Sequence, residues 1–309
     1  MKFDRKASGE GVEAVCKLKS DRLFIEWKFS FLETDRDEED ILCLTVKDRG
    51  GQTVLLCIQK AKEEEIMTSA LLHPHLWSCE DPYLYEVEVV LQAPSGRERD
   101  RLKKQLPLRE LYFHPHKGWL LNGEELALRA VQYTIPQCAS QIERQQIIWK
   151  DLCLLKEMGA NCVRVEASLW KLCERIGLLI WQKDMETAGE ELPCPVGEGN
   201  GRLSSLFYLY KAKWSREPIV YIVPESVSVL PSGNFMVTVY SNSERVALYS
   251  DGILFEFQSG EGEFVFREVP AKGPCVMLSA KGEGCSMSFS IHKTFGGSLA
   301  MRGGCPLYP

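Results

Sequence analysis

Arg164, Glu166, Asp184 and Glu186 are the residues in this chain best placed to do acid–base chemistry. Each falls at or just past the C-terminal end of a predicted parallel strand. Such strand ends are where β/α layers collect their catalytic groups. A guanidinium at Arg164 could orient one of the carboxylates. The same residues also admit a structural reading, in which Arg164 and a nearby Glu form a partly buried ion pair, because a buried guanidinium needs a partner. That reading is favoured, since perturbed pairs are often structural. Trp119, Tyr133, Trp170 and Trp181 lie on or near the same strand ends. They are either platforms for a ring-shaped ligand or caps on exposed apolar core, and their spacing does not choose between these. His73 and His75 bracket Pro74, and His114 and His116 bracket Pro115. No thiol or acidic cluster joins either pair, so no metal site is expected.

The elements that must position these groups read from periodicity. Residues 1–105 alternate in short runs such as Tyr83 to Leu91, broken by Gly, Asp and Pro turns, which predicts an antiparallel β-sandwich. Residues 106–186 change period. A short hairpin over 119–128 leads into a buried strand. An amphipathic helix over Ile142 to Met158 follows, with Gly159 as its natural stop. Then come a strand over Asn161 to Val165, a helix over Leu169 to Ile176 closed by Gly177, and a strand over Leu178 to Trp181. This predicts about three parallel strands and two helices. Residues 187–202 are a Gly/Pro-rich linker, 203–293 return to β as a C-terminal β-sandwich, and 294–309 read as a flexible tail. Within the C-terminal sandwich, Tyr208 to Trp214 leads into Ile219 to Ile222, and Asp251-Gly252 marks a hairpin turn.

Composition narrows the classes further. The 309 residues carry 37 Lys and Arg against 43 Asp and Glu, a formal charge of −6, and no basic stripe, so nucleic acid is not an expected partner. No apolar run approaches the ~20 residues that cross a bilayer, so no membrane association is expected. The first residues carry no apolar stretch, so no signal peptide is expected. The twelve cysteines are scattered without a Cys-x-x-Cys pair, which fits buried reduced thiols and a cytoplasmic chain.

Several stretches resemble family 2 glycoside hydrolases, the β-galactosidase and β-glucuronidase group. His75-Leu76-Trp77-Ser78-Cys79-Glu80-Asp81-Pro82-Tyr83-Leu84-Tyr85 is similar to the family's signature near the end of its immunoglobulin-like domain. Gly118 to Arg129 resembles the entry to its catalytic barrel. Leu154 to Arg164 and Leu172 to Trp181 resemble the next helix–strand pairs, and residues 206–255 resemble a sandwich that follows the barrel. The resemblance implies a mainly β chain with an α/β insert. In order these are an immunoglobulin-like sandwich, a truncated (β/α) barrel fragment over 106–186, and a second immunoglobulin-like sandwich. It also implies two catalytic glutamates, one on the fourth barrel strand and one on the seventh, and the sequence passes from the third strand to the linker. Other family positions are replaced here by Ala130, Gln132, Thr134, Glu166-Ala167 and Gln182-Lys183, while Arg164 is kept.

The expectation is therefore a degenerate homologue without catalytic glutamates, inactive alone, with no cofactor and no metal. It would serve as a carbohydrate-binding or assembly module. Carbohydrate, a second copy of the chain, or another protein covering the shortened sheet stand open as partners. Trp119, Tyr133, Arg164, Trp170 and Trp181 are the carbohydrate-binding candidates, and Glu166, Asp184 and Glu186 the weak catalytic ones. The alternative is a β-galactosidase-like hydrolase that uses these carboxylates or a partner chain.

Overall fold

A computed structural model describes residues 3–4, 11–32, 39–61, 66–135, 140–181, 196, 203–293 and 299–302. The chain divides into two units: residues 1–128 with 166–190, and residues 129–165 with 191–309. Both boundaries near the middle, 128/129 and 165/166, fall inside the 106–186 segment that the sequence reads as one layer.

The first unit opens with a seven-stranded sandwich. One sheet runs in the order β1 (Val12–Lys19), β2 (Arg22–Phe29), β5 (Ile66–Leu72). The other runs β4 (Thr53–Lys60), β3 (Ile41–Lys47), β6 (Leu84–Gln92), β7 (Glu98–Pro107). Alternation dictates the inward face. Leu23, Ile25, Trp27 and Phe29 of β2 meet Leu42, Leu44, Val46, Val87, Val89 and Leu91 in one core. The order of strands is that of an immunoglobulin-like sandwich, as the sequence predicts. A three-stranded antiparallel ribbon follows: β8 (Leu111–His114), β9 (Gly118–Leu121) and β10 (Glu124–Glu125). Helix α2 (Trp170–Ile176) and the short strand β13 (Leu179–Ile180) complete this unit.

The second unit begins with a β–α–β element. β11 (Ala130–Gln132) pairs in parallel with β12 (Cys162–Arg164), joined by α1 (Gln141–Met158). Helix α1 starts where Ser140 Oγ accepts the Glu143 amide at 3.2 Å. It stops at Gly159, whose φ of 102° lies in the left-handed region. Its buried face is Ile148, Leu152, Leu155 and Met158.

The sandwich of this unit has two sheets. In one, β16 (Phe235–Ser241) pairs with β14 (Val220–Ile222), β15 (Ser228–Val229) and β19 (Gly262–Val269). The other runs β18 (Ile253–Ser259), β17 (Arg245–Ser250), β20 (Cys275–Gly282), β21 (Cys285–Lys293), β22 (Leu299–Arg302). Val237, Val239, Leu248, Phe266, Leu278 and Ile291 pack in its core.

Two sequence expectations are corrected. Tyr208 to Trp214, read with the β region, is the greater part of α3 (Ser205–Trp214). Its Phe and Tyr residues favour strands by composition. The buried positions Phe207, Tyr210 and Lys211 recur at helical spacing instead, and α3 packs on α1. Lys211 is 1% exposed, and its ammonium is held by Glu157 of α1 at 2.6 Å and by Glu217 at 3.3 Å. The second correction concerns the tail from residue 294, which contains β22, antiparallel to β21. Most of the 187–202 linker lies outside the described residues. Among the described residues, no helix is long and apolar enough to cross a membrane.

Candidate functional site

In the second unit, the sequence candidates Tyr133 and Arg164 are neighbours. The Tyr133 amide donates to the Arg164 carbonyl at 3.0 Å, continuing the parallel β11–β12 ladder. The Tyr133 ring is 4% exposed, and its hydroxyl donates to Asp151 Oδ2 of α1 at 3.0 Å. Burial raises the Asp151 carboxyl above the ordinary range, and the Tyr133 hydrogen bond and the Lys150 charge oppose this. Tyr133 is therefore core here, with no open ring face. The Arg164 side chain is exposed. Arg129, at the entry to β11, holds Asn161 through its backbone amide (2.8 Å), and its guanidinium donates to the Trp214 carbonyl of α3 (2.7 Å).

The other candidates lie in the first unit. Glu166 is exposed, and its carbonyl accepts the Leu169 amide at 3.0 Å in the turn before α2. Trp170 opens α2 and is 37% exposed. Trp119 on β9 is half-buried and meets Phe113 edge-on at 5.6 Å. Trp181 is 9% exposed. The indole Nε1 groups of Trp119 and Trp181 are both buried without a hydrogen-bond partner among the described residues. Asp184 and Glu186 lie outside the described residues, as do Gln182 and Lys183. Among the described residues, no group of three His, Cys, Asp or Glu side chains converges to hold a metal. Burial pushes the Cys173 thiol up to about 12 and the Cys16 thiol up to about 11, so both stay protonated at neutral pH.

A buried polar cluster of the first unit escaped the sequence reading, although its central residue lies in the family-like motif. Trp77 is fully buried. Its indole donates to the Glu174 carbonyl of α2 at 2.8 Å, and its own carbonyl accepts from Asn122 at 3.0 Å. Arg109 lies 4.2 Å over the Trp77 ring and 3.4 Å from the Glu174 carboxylate. Trp77 thus ties α2 and the 111–125 ribbon to the sandwich. Tyr83 and Tyr85 of the same motif also hold loops. The Tyr83 hydroxyl accepts the Arg49 amide, and the Tyr85 hydroxyl accepts the His75 amide.

Beside this cluster, β6, β7 and α2 enclose a groove of about 240 Å³. Lys103, Lys104, Lys171 and Arg175 line it together with Glu86 and Glu174, among the described residues. Arg175 is steadied by Gln105 at 2.9 Å, and Lys103 pairs with Glu86 at 2.9 Å. The one trace of this groove in the sequence is the Lys103-Lys104 doublet. Alone it reads as a solvated strand end.

These features define a class: a chain of β-sandwiches carrying a short parallel β/α layer. Residues 35–109 match the family model described as glycosyl hydrolases family 2. The chain is 33% identical over 130 residues to a beta-galactosidase of Psychromonas ingrahamii, covering 39% of this chain and 12% of that one. It is 30% identical over 127 residues to a beta-galactosidase of Lactococcus lactis, covering 38% of this chain and 12% of that one. Its fold matches the crystal structure of an FMN-binding beta-glucuronidase from Facaelibacterium prausnitzii at a TM-score of 0.72. That match has 14% identity and covers 95% of this chain and 75% of the other. Residues 35–109 are thus similar to the family 2 glycosyl hydrolases. The chain spans only a small part of the curated relatives it matches, 19% of the length for one from Formosa agariphila that is 31% identical over 166 residues.

Proposed function

We propose that this chain is a degenerate member of the family 2 glycosyl hydrolase group that does not cleave glycosides by itself and acts as a carbohydrate-binding or assembly module. One observation carries the reading. β13 ends at Ile180 and α3, in the unit of the second sandwich, begins at Ser205. A full (β/α)₈ barrel takes about 250 residues, or roughly 30 for each strand–helix unit. Residues 181–204 cannot supply the five units that would follow a third strand. The resemblance implies two glutamates on a fourth and a seventh strand, which would belong to those missing units. Retaining hydrolysis needs two carboxyl groups about 5–5.5 Å apart across the sugar.

The names of the relatives favour a second reading, hydrolysis of O-glycosyl bonds by Glu166 or with a partner chain. Aryl β-galactosides and aryl β-glucuronides separate the two. The expected outcome is release no faster than in buffer. Turnover that Glu166→Gln abolishes would overturn the non-catalytic reading. Titration with methyl β-galactoside and methyl β-glucuronide tests the binding role. The assembly role predicts a light-scattering mass above that of one chain.

A further inference from the structure

Strand β20 turns a thiol and a thioether to the solvent face of the second sandwich. Alternation fixes this: Val276 and Leu278 are fully buried, so Cys275 and Met277 project from the other side. Both are exposed, Met277 by 51%. On the neighbouring β21, Ile291 is fully buried, and His292, in direct register with Cys275, stands on the outer face with it. Cys275 Sγ and His292 Nε2 are 3.9 Å apart. The hairpin turn after β17 pins the backbone of the third residue. Asp251 Oδ1 accepts the Met277 amide at 2.9 Å, and the Asp251 amide donates to the Met277 carbonyl at 2.8 Å. Among the described cysteines, Cys275 is the only exposed one.

We propose that Cys275, His292 and Met277 form a surface binding site for a single Cu(I) ion. The contact between Cys275 and His292 has the span of two ligands on one metal. With metal–sulfur and metal–nitrogen bonds of about 2.3 Å and about 2.0–2.1 Å, a separation of 3.9 Å corresponds to a sulfur–metal–nitrogen angle of roughly 125–130°. That angle is close to trigonal and leaves room for a third donor. Met277 lies two residues along the same strand face, and its thioether swings on three rotatable bonds. Thiolate and thioether are soft donors that select Cu(I), and imidazole suits copper as well. Closed zinc sites instead draw four ligands from Cys, His and carboxylates. Among the described residues, no third His, Cys, Asp or Glu joins the pair. On binding, the Cys275 thiol gives its proton to solvent and a sulfur lone pair to the metal. The copper stays Cu(I), so no electron donor or acceptor is needed. The site stands whether or not the chain cleaves glycosides.

The test is an anaerobic titration of the reduced full chain against the coloured Cu(I) complex of bicinchoninate. The chain should withdraw Cu(I) from that complex. His292→Gln and Met277→Leu should each weaken its hold at least about tenfold, and Cys275→Ala should weaken it further. Met236→Leu, on β16 of the same unit, should change nothing. The imidazole and thioether variants separate this site from simple capture by a thiol, which neither would move. Zn(II) should bind the same chain at least about tenfold more weakly than Cu(I), because a thioether adds little to zinc. Should a variant fail to fold, iodoacetamide labelling of the unaltered chain gives the same decision. Bound Cu(I) must slow the labelling of Cys275, read by peptide mass spectrometry. No withdrawal of Cu(I), an affinity untouched by His292→Gln or Met277→Leu, zinc held as tightly as copper, or unslowed labelling would overturn the proposal.

Discussion

Asp151 is 7% exposed on α1 and receives the hydroxyl of Tyr133 at 3.0 Å, so a carboxyl group is held inside the second unit by one phenol. Tyr133→Phe removes that donor and leaves the buried acceptor unsatisfied, which should lower stability by about 1–3 kcal/mol in denaturant titration. The pH dependence follows from the raised Asp151 pKa. Between the ordinary carboxylate value near pH 4 and the raised native value, the folded chain holds a proton that the unfolded chain has lost. Stability therefore falls as pH rises through that window. Asp151→Asn should flatten part of the fall. Glu174, also raised chiefly by burial, has the same sign and keeps the remainder. Equal pH slopes for the variant and the parent chain would contradict this. The sequence flags Tyr133 as an aromatic near a strand end. Its burial is decided by Asp151, eighteen positions away on a helix, and nothing in the local pattern states that pairing.

The helices end where the sequence puts them. Gly159 and Gly177 both take left-handed φ, and each closes its helix through backbone hydrogen bonds at the last turn. At Gly159 a second constraint exists that no sequence pattern carries. A Cβ there would lie 2.9 Å from the Trp214 backbone of α3. Gly159→Ala should therefore cost more than the roughly 1–2 kcal/mol of left-handed strain alone. Removal of the N-cap in Ser140→Ala should cost about 1 kcal/mol. Trp77→Ala empties a fully buried site and cuts the tie to α2, and should cost about 3–5 kcal/mol. Trp149→Ala, on the 51% exposed side of α1, should stay within about 0.5 kcal/mol. Melting temperatures of these four variants check the ranking: Trp77→Ala and Gly159→Ala should lose more than Ser140→Ala, and Trp149→Ala least.

Each unit has its own apolar core, one around Trp27, Leu44 and Val89, the other around Val237, Leu248 and Phe266. Two such cores predict two unfolding transitions in calorimetry. Leu44→Ala should lower one of them and Val237→Ala the other, by about 2–4 kcal/mol each. A single transition moved equally by both variants would refute independent cores. At this scale the sequence indicates the order of sandwiches and helices along the chain. The segment 106–186 reads as one layer of three strands, and β11, β12 and β13 are the three strands of one sheet.

Alternation in the strands, glycine at the helix ends and the shortness of residues 181–204 are covalent, local facts, so they were legible in the sequence. A side chain's face on a strand or helix is set by backbone geometry within a few residues. The burial of Tyr133 and the helix at 205–214 were decided only by tertiary structure. Glu174 and Trp77 are ninety-seven positions apart, and they meet because packing two apolar surfaces fixes which polar groups are left facing each other.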